Sequence, residues 1–400
     1  MPQMSALNQK PPGYLPRHDE ARKEDYQNVR HLERDEQANP NRCWEDRILT
    51  IAYPARHPIV EADLDRILEA PLPWERFAGK TVLVAGAAGF LGAYVVETLL
   101  RLNESRSQPP VRVLALARRA EALRERFLAH GTRHDLRFVL QDACAPAPRD
   151  EPVHFVVHAA SPGSPRAFGL DPVGTFAANV FATRELLELR PTDGFLFFSS
   201  GEVYGLGNDQ VIPTHEDAYG FLDPTKVRSC YGEGKRAGET LCACYAAQEG
   251  IPATMARIFH TYGPGMPLGD GRVFSDFVGD ALAGRDLVMR SDGRVSRAFC
   301  YLADTVAGCF TILLKGAMGT AYNVGNEEAE LTVLELANLI AGLEPQRGLR
   351  VRREAAAAAD PYLPSPIQRG CPDVSRLRGL GWTPWTAPRE GFLRTLESFR

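Results

Sequence analysis

The sequence predicts an α/β fold, in which a Rossmann-type doubly wound parallel sheet carries a smaller C-terminal α+β lobe. Two observations support this prediction. Short apolar runs with β-branched residues recur through the middle of the chain, and helical patterns lie between them. Alternating buried strands and helices are typical of a parallel sheet covered on both faces. A glycine-rich turn also follows the first apolar run directly.

The predicted elements follow one another in a regular order. The predicted strands are residues 81–85, 111–117, 136–140, 153–158, 194–199 and 252–258. The clearest helical patterns are residues 90–102, 173–189 and 231–248. After about Thr261, glycine and proline become frequent and the apolar runs become shorter. Thr332 and Glu335 form a capping-box signature, which predicts the start of a further helix.

Composition excludes several classes of protein. The hydrophobic share is 44% and the charged share is 24%, and no run reaches the ~18–20 apolar residues of a membrane-spanning helix. The 46 basic and 50 acidic residues give a net charge of −4, so no basic excess predicts a nucleic-acid partner. The eight cysteines form no CxxC pair, so we expect no metal site. The first residues lack the apolar core of a signal peptide, which predicts a cytoplasmic protein.

The glycine-rich turn predicts a dinucleotide site. Gly86, Gly89 and Gly92 lie between the first predicted strand and the first helix, with Phe90 and Leu91 inside the motif. Glycines at these positions allow a tight turn and let a pyrophosphate approach the free N–H groups at the start of the helix.

The residues after the next two strands leave the form of the dinucleotide open. The second strand ends at Arg118 and Arg119, where an acidic residue that binds the adenosine ribose is usual. Arg118 either stacks on adenine or pairs with a 2′-phosphate, which favours NADP, or it is a solvated surface residue. Asp142 follows the third strand and either accepts from the adenine amino group or makes a local turn.

A tyrosine and a lysine form the first candidate catalytic pair. Tyr231 and Lys235 are four residues apart in a helical pattern, and therefore lie on one helix face. An ammonium beside a phenol favours the phenolate, so we expect the pKa of Tyr231 to fall from about 10 toward neutrality. Such a group is a general base for an alcohol proton.

The end of the fifth predicted strand carries two further candidates. Ser200 and Glu202 lie in the segment FFSSGEVYG, and ligands bind open α/β sheets at these strand ends. Ser200 is placed to hydrogen-bond the hydroxyl that Tyr231 deprotonates. Glu202 is placed either to handle a second proton or to act only as a helix cap.

These motifs divide the chain into four predicted segments. They are a disordered arm (1–42), a helical N-terminal extension (43–75), a dinucleotide-binding domain (76–260) and a mainly substrate-binding lobe interleaved with it (261–400). The arm is polar, as disordered segments are, although wrapping around a partner subunit is an alternative. In the extension, an apolar stripe predicts a helix that packs on the main body; it consists of Val60, Leu64, Ile67 and Leu68.

From about Lys80 onward the sequence resembles the extended short-chain dehydrogenases/reductases of the NAD-dependent epimerase/dehydratase family, and most of all their UDP-glucuronate decarboxylase (UDP-xylose synthase) branch. Besides the glycine turn, the resemblance rests on residues 158–165 (HAASPGSP), 197–205 (FFSSGEVYG), 228–236 (RSCYGEGKR), 256–264 (ARIFHTYGP), 270–273 (DGRV), 296–304 (SRAFCYLAD) and 322–326 (YNVGN). The resemblance implies a nucleotide-sugar substrate, a tightly bound NAD and a homodimer.

The resemblance also implies roles for individual residues. Tyr231 and Lys235 are the redox pair, and Ser200 is their helper. The further residues that it places against the cofactor are Ala143, Ala159, Ala160, Ser161 and Thr261. Arg297 meets the diphosphate or the sugar carboxylate, and the substrate cleft is also lined by Glu202, Arg272 and His260. Bidentate arginine suits both anions.

Three positions depart from the family pattern. Gly201 stands where the decarboxylases have Ser and the sugar 4,6-dehydratases have the Asp that expels the C6 hydroxyl. His260 and Asp276 each stand in place of Asn. These changes leave the nucleotide and the sugar open.

The predicted function is an NAD(P)-dependent enzyme that oxidises a nucleotide sugar at C4 and decarboxylates an NDP-glucuronate to an NDP-pentose or its 4-keto form. The alternatives are a 4-epimerase, which does not need Glu202, and a 4,6-dehydratase, which lacks its acid at Gly201. An alternative of another class is a non-catalytic NADP-sensing regulator, which has no need of Tyr231 and Lys235.

Overall fold

The structure is a computed structural model that describes residues 57–130, 133–146, 151–206, 212–354 and 367–400. These residues belong to one compact unit, Leu49–Arg400. The predicted disordered arm (1–42) and the first part of the helical extension lie outside the described residues.

The helices and strands of the described residues are numbered here in chain order. The helices are α1 (Pro58–Leu68), α2 (Phe90–Ser105), α3 (Ala120–Arg126), α4 (Pro165–Leu170), α5 (Pro172–Leu187), α6 (Ser229–Glu249), α7 (Val273–Leu282), α8 (Leu302–Lys315), α9 (Val333–Ala341), α10 (Ser375–Arg378) and α11 (Pro388–Glu397). The strands are β1 (Thr81–Ala85), β2 (Arg112–Ala117), β3 (Leu136–Leu140), β4 (Phe155–His158), β5 (Gly194–Ser200), β6 (Ala253–Ile258), β7 (His260–Tyr262), β8 (Leu287–Met289), β9 (Ser296–Tyr301), β10 (Ala321–Val324), β11 (Glu330–Thr332), β12 (Val351–Arg353) and β13 (Arg369–Gly370).

A seven-stranded parallel sheet forms the centre of the fold, in the order β10-β6-β5-β4-β1-β2-β3. The predicted doubly wound fold is therefore confirmed. The six predicted strands are present within two residues of their predicted starts. The chain order reverses beside β1, because β2 and β3 lie on one side of it and β4, β5 and β6 on the other. Ligands bind at such a switch point, outside the carboxyl ends of the strands.

The sheet recruits its seventh strand from the C-terminal part of the chain. The four-residue strand β10 pairs with β6, and α8, which precedes it, packs against β5 and β6. The rest of the region after residue 261 builds a second layer, in which β9 pairs with β7, β11 and β13 while β8 pairs with β12. Strand β10 thus brings the C-terminal part of the chain into the central sheet.

Helix α1 contains the predicted apolar stripe, and a buried carboxylate fixes this helix. Asp63 of α1 is 3% exposed, and its Oδ2 accepts from the hydroxyls of Tyr94 and Tyr301 at 2.8 and 2.7 Å. Arg394 of α11 pairs with its other oxygen at 2.5 Å. Asp63 therefore joins the two ends of the described chain to the core, although the sequence pattern of this helix shows only its apolar stripe.

None of the described helices is both long and apolar enough to cross a membrane.

Candidate active site at the carboxyl edge of the sheet

The glycine turn closes tightly over the end of β1. Gly86 has a φ of +79°, a conformation that favours glycine, and a Cβ there would lie 2.7 Å from backbone atoms of Ala159 and Ala160. A Cβ on Gly92 would lie 2.4 Å from the carbonyl oxygen of Gly86. The sequence needs glycine at both positions because the turn packs directly on the backbone after β4 and on the first turn of α2.

The start of α2 fits the phosphates of a dinucleotide. Gly89 is its N-cap residue and offers no side chain, so no side-chain hydrogen bond caps the helix. The N–H groups of the first turn, at Phe90, Leu91 and Gly92, and the helix dipole favour an anion here. These residues, with Ala159 and Ala160 beside the turn, would hold the pyrophosphate of NAD.

The adenosine end of the site is open and polar. The side chain of Arg118 is 71% exposed, and its Nη1 lies 3.9 Å from Oδ2 of Asp142, whose side chain is 52% exposed. Asp142 also accepts from the N–H of Cys144 at 2.9 Å. Arg118 and Asp142 therefore stand together at the ends of β2 and β3, and Asp142 makes the local turn that the sequence analysis kept as its alternative.

The remaining predicted cofactor residues differ in their access to this edge. Ser161 is half-buried and donates to the carbonyl of Pro162 at 3.2 Å, while Ala143 is buried. The hydroxyl of Thr261 is buried between the carbonyl of Phe259 and the hydroxyl of Thr305, each at 3.1 Å. The contact predicted between Thr261 and the cofactor stays a prediction, and the geometry does not favour one through its hydroxyl.

Tyr231 and Lys235 share one face of α6, as predicted, but the expected pKa shift is wrong in sign. Burial raises the pKa of Tyr231 to about 12, and a hydrogen bond with Ser200 opposes this rise only in part. Nζ of Lys235 lies 5.5 Å from the Tyr231 ring centroid and donates to the carbonyl of Phe198 at 2.5 Å. Desolvation of the buried phenol is the largest influence on its pKa, and it outweighs the favourable contacts.

Glu202 is held by an arginine that the sequence analysis did not single out. Both carboxylate oxygens of Glu202 accept from Nη2 of Arg228 at 3.0 Å. The side chains are 23% and 17% exposed, respectively. Ser200 accepts from the backbone N–H of Glu202 at 3.3 Å, which orients the short 3₁₀ turn Gly201–Tyr204. Arg228 precedes Tyr231 by three residues, and this adjacency was the signal available in the sequence.

Phe168 of α4 packs against both Tyr231 and Arg228, and the sequence did not predict this role. Its ring stacks on Tyr231 with centroids 4.4 Å apart and an interplanar angle of 17°. The Arg228 guanidinium carbon lies 5.2 Å from the centroid of the same ring. Phe168 thereby fixes the phenol and the arginine relative to each other. A lone phenylalanine in a short helix gives no sequence signal of this role.

Three of the four predicted substrate residues lie near one another, on β7, on β9 and at the start of α7. His260 lies against Arg297 and Arg272, and burial together with these two charges lowers its pKa to about 3, so the imidazole is neutral. Its Nδ1 is buried and has no hydrogen-bond partner among the described residues. Arg272 pairs with Asp270 at 2.8 Å, while Arg297 donates to the carbonyls of Ser296 and Ile367, each at 2.7 Å. The cluster contains two guanidinium groups and one buried imidazole nitrogen that has no partner among the described residues.

The other two departures have local physical consequences. A Cβ on Gly201 would lie 3.0 Å from the ring of Phe259, so this ring would have to shift by a few tenths of an ångström to admit a side chain at this position. Asp276 accepts from the N–H of Gly271 at 3.3 Å, and burial, with the nearby charge of Asp270, raises its pKa to about 6. Asp276 therefore sits in a largely enclosed place where its negative charge is disfavoured.

The fold and this edge define a Rossmann-type dinucleotide-binding protein. Comparison with known proteins narrows the class. Residues 82–325 match the NAD dependent epimerase/dehydratase family. The chain belongs to this family, which confirms the resemblance seen in its sequence.

Three known proteins illustrate the likeness. UDP-glucuronic acid decarboxylase 1 of Danio rerio is 33% identical over 362 residues, covering 89% of this chain and 81% of that protein. UDP-glucuronic acid decarboxylase 3 of Arabidopsis thaliana is 35% identical over 322 residues, covering 80% and 89%, respectively. The UDP-glucuronic acid 4-epimerase of Bacillus cereus, solved in complex with UDP-glucuronic acid and NAD, has a TM-score of 0.66 at 22% identity and covers 80% of this chain and 98% of its own. This last likeness concerns the fold.

Proposed function

We propose that this chain is an NAD-dependent nucleotide-sugar carboxy-lyase that converts UDP-glucuronate, or a closely similar NDP-glucuronate, to an NDP-pentose or its 4-keto form. The observation that carries the proposal is the carboxylate of Glu202, held by Arg228 beside the Tyr231–Lys235 pair. The relatives named as UDP-glucuronic acid decarboxylases support it.

The protein's own groups divide the chemistry between them. Tyr231, hydrogen-bonded to Ser200, is placed to remove the proton of the C4 hydroxyl. When bound, the oxidised nicotinamide supplies the hydride acceptor and a positive charge that favours the Tyr231 phenolate. Lys235, with its ammonium beneath the Tyr231 ring, adds a second positive charge. Tyr231 returns the proton when the C4 keto group is reduced.

Decarboxylation then requires two further contributions from the protein. A sugar acid oxidised at C4 is a β-keto acid, so the site has to hold the C6 carboxylate and control proton delivery to C5 as carbon dioxide leaves. Glu202 is the carboxylate nearest this task, and Arg228 sets its orientation. Arg297, Arg272 and the neutral His260 are the proposed anchors for the diphosphate or the C6 carboxylate, because guanidinium groups match both anions.

Gly201 argues against a 4,6-dehydratase. That reaction needs an acid at this position to expel the C6 hydroxyl, whereas glycine supplies none and the ring of Phe259 lies 3.0 Å from where a Cβ would be. A uronate 4-epimerase shares the fold and the first step. The mass of the product distinguishes this reaction from decarboxylation.

Two further features belong to the proposal. The cofactor is NAD, bound tightly enough to remain through a closed redox cycle, with NADP favoured only if Arg118 reads a 2′-phosphate.

The assembly is a homodimer. Exposed apolar side chains on α5 support this, since Val173 and Phe181 are 79% and 55% exposed on a helix that packs against α6.

The testing experiment incubates the purified protein with UDP-glucuronate and NAD and measures the mass of the nucleotide-sugar product. Loss of carbon dioxide supports the proposal, and an isomer of unchanged mass supports the epimerase. UDP-glucose is the matched control, because it lacks the C6 carboxylate and can give no carbon dioxide.

A further inference from the structure

A second acidic residue lies on the buried face of α6, one turn beyond Lys235. Glu239 is 9% exposed, and the spacing of four residues puts it on the same helix face as Lys235. Its carboxylate accepts from Nε and Nη2 of Arg257 at 2.9 and 2.7 Å, and from the hydroxyl of Ser199 at 2.5 Å. Glu239 is thus a buried carboxylate with both oxygens engaged.

These contacts tie Glu239 to the strand that carries the catalytic segment. Ser199 directly precedes Ser200, and the carbonyl of Phe198 is the acceptor for Lys235. Arg257 of β6 also donates to the hydroxyl of Tyr204 at 3.0 Å, in the turn that contains Glu202. The Glu239–Arg257 pair therefore joins α6, β5, β6 and this turn underneath the proposed Tyr–Lys pair.

Glu239 affects the pKa of Lys235. Burial lowers the pKa of Lys235 to about 7, and the charge of Glu239 opposes that fall. Cys242 of α6 acts in the same direction, but burial raises the pKa of its thiol, which leaves it uncharged at neutral pH. His158 of β4 faces the ammonium and is neutral, because burial lowers its pKa to about 3. Among the described groups that act on Lys235, Glu239 is the acid that is paired with an arginine.

We propose that Glu239 is a positioning residue that keeps the Lys235 ammonium charged and fixed beneath Tyr231, and that Arg257 limits how much of this negative charge Lys235 experiences. The proposal rests on the proposed function insofar as Lys235 assists Tyr231. It adds a pair of residues that lie outside the proposed substrate and cofactor contacts, and it assigns them opposite effects.

The test exploits these opposite effects. Glu239→Gln removes the negative charge and leaves that of Arg257, so the alkaline limb of kcat/KM for UDP-glucuronate should move to lower pH by about 1 unit or more. Arg257→Gln leaves Glu239 without its neutralising partner, so the same limb should move to higher pH. Each change breaks one buried ion pair and destabilises the fold by the same mechanism, so loss of stability alone predicts no difference in direction.

A double variant and a control variant accompany the two single variants. The double variant Glu239→Gln/Arg257→Gln leaves no unpaired charge and should place the limb between those of the single variants. Glu216→Gln is the matched control, since Glu216 is a buried carboxylate in the same network, yet the charges that act on Lys235 do not include it. Its limb should coincide with that of the wild type.

NAD binding, measured by calorimetry over the same pH range, gives a readout that does not need sugar turnover. The pH midpoint at which the affinity for NAD falls should move to lower pH in Glu239→Gln and to higher pH in Arg257→Gln. Absence of turnover on UDP-glucuronate with these binding shifts present refutes only the proposed substrate. Limbs and binding midpoints that stay unchanged, or that move in the same direction in both single variants, overturn the assignment of Glu239.

Discussion

Arg228 and Glu202 form a half-buried ion pair in which one guanidinium nitrogen contacts both carboxylate oxygens at 3.0 Å. The pair links the start of α6, which carries Tyr231, to the turn after β5, which carries Ser200. Because Arg228 also lies over the Phe168 ring that stacks on Tyr231, the proton-handling groups form one packed unit. The first predictions concern this unit.

Glu202→Gln keeps the size of the side chain but removes the base. The C4 oxidation step does not use Glu202, so it should proceed while later steps stop, and reduced cofactor should accumulate. Absorbance of the reduced nicotinamide during a single turnover with UDP-glucuronate measures this directly. Glu233→Gln, on α6, is the control and should behave like the wild type. Equal turnover of Glu202→Gln and wild type would remove Glu202 from the mechanism.

Tyr231→Phe should bind NAD normally and lose about 10²–10⁴ in turnover, the usual contribution of a general base. The phenyl ring retains the stacking on Phe168, so the local packing should survive. Calorimetry with NAD and steady-state rates with UDP-glucuronate provide the two measurements. A variant with near-normal rates would show that another group removes the proton.

Arg118→Asp tests the choice of dinucleotide. If Arg118 reads a 2′-phosphate, the variant should bind NADP more weakly and NAD at least as well, because a carboxylate at this strand end accepts from ribose hydroxyls and repels a phosphate. Arg119→Asp, one residue further on, is the matched control. An unchanged ratio of the two dissociation constants would make Arg118 a solvated surface residue.

Asp63→Asn tests the anchoring of α1. Removing one partner of a buried ion pair leaves Arg394 uncompensated and should lower the free energy of unfolding by about 3–5 kcal/mol. Asp65→Asn, on the same helix, breaks the partly exposed pair with Arg101 and should cost about 1 kcal/mol or less. Urea denaturation of both variants gives the comparison. Similar losses for the two would mean that Asp63 does not secure the helix.

The sequence predicted the parallel sheet because buried strands and glycine turns are local signals. The turn at Gly86 and the Tyr231–Lys235 face needed only spacing to be recognised. The pairing of β10 with β6 was not predictable, because a four-residue strand far along the chain carries no mark of its partner. The sign of the Tyr231 pKa shift was wrong because spacing reveals proximity to Lys235, whereas burial depends on the surrounding elements. Arg228 and Glu239 escaped notice for the same reason, since each acts through a tertiary ion pair.

The measurement that tests the central claim most directly is the mass of the product formed from UDP-glucuronate by the wild-type protein with NAD. The account predicts a nucleotide sugar that has lost carbon dioxide, with a matching release of carbon dioxide, and no such product from Glu202→Gln. A product of unchanged mass with inverted C4 would contradict the account and identify the protein as an epimerase.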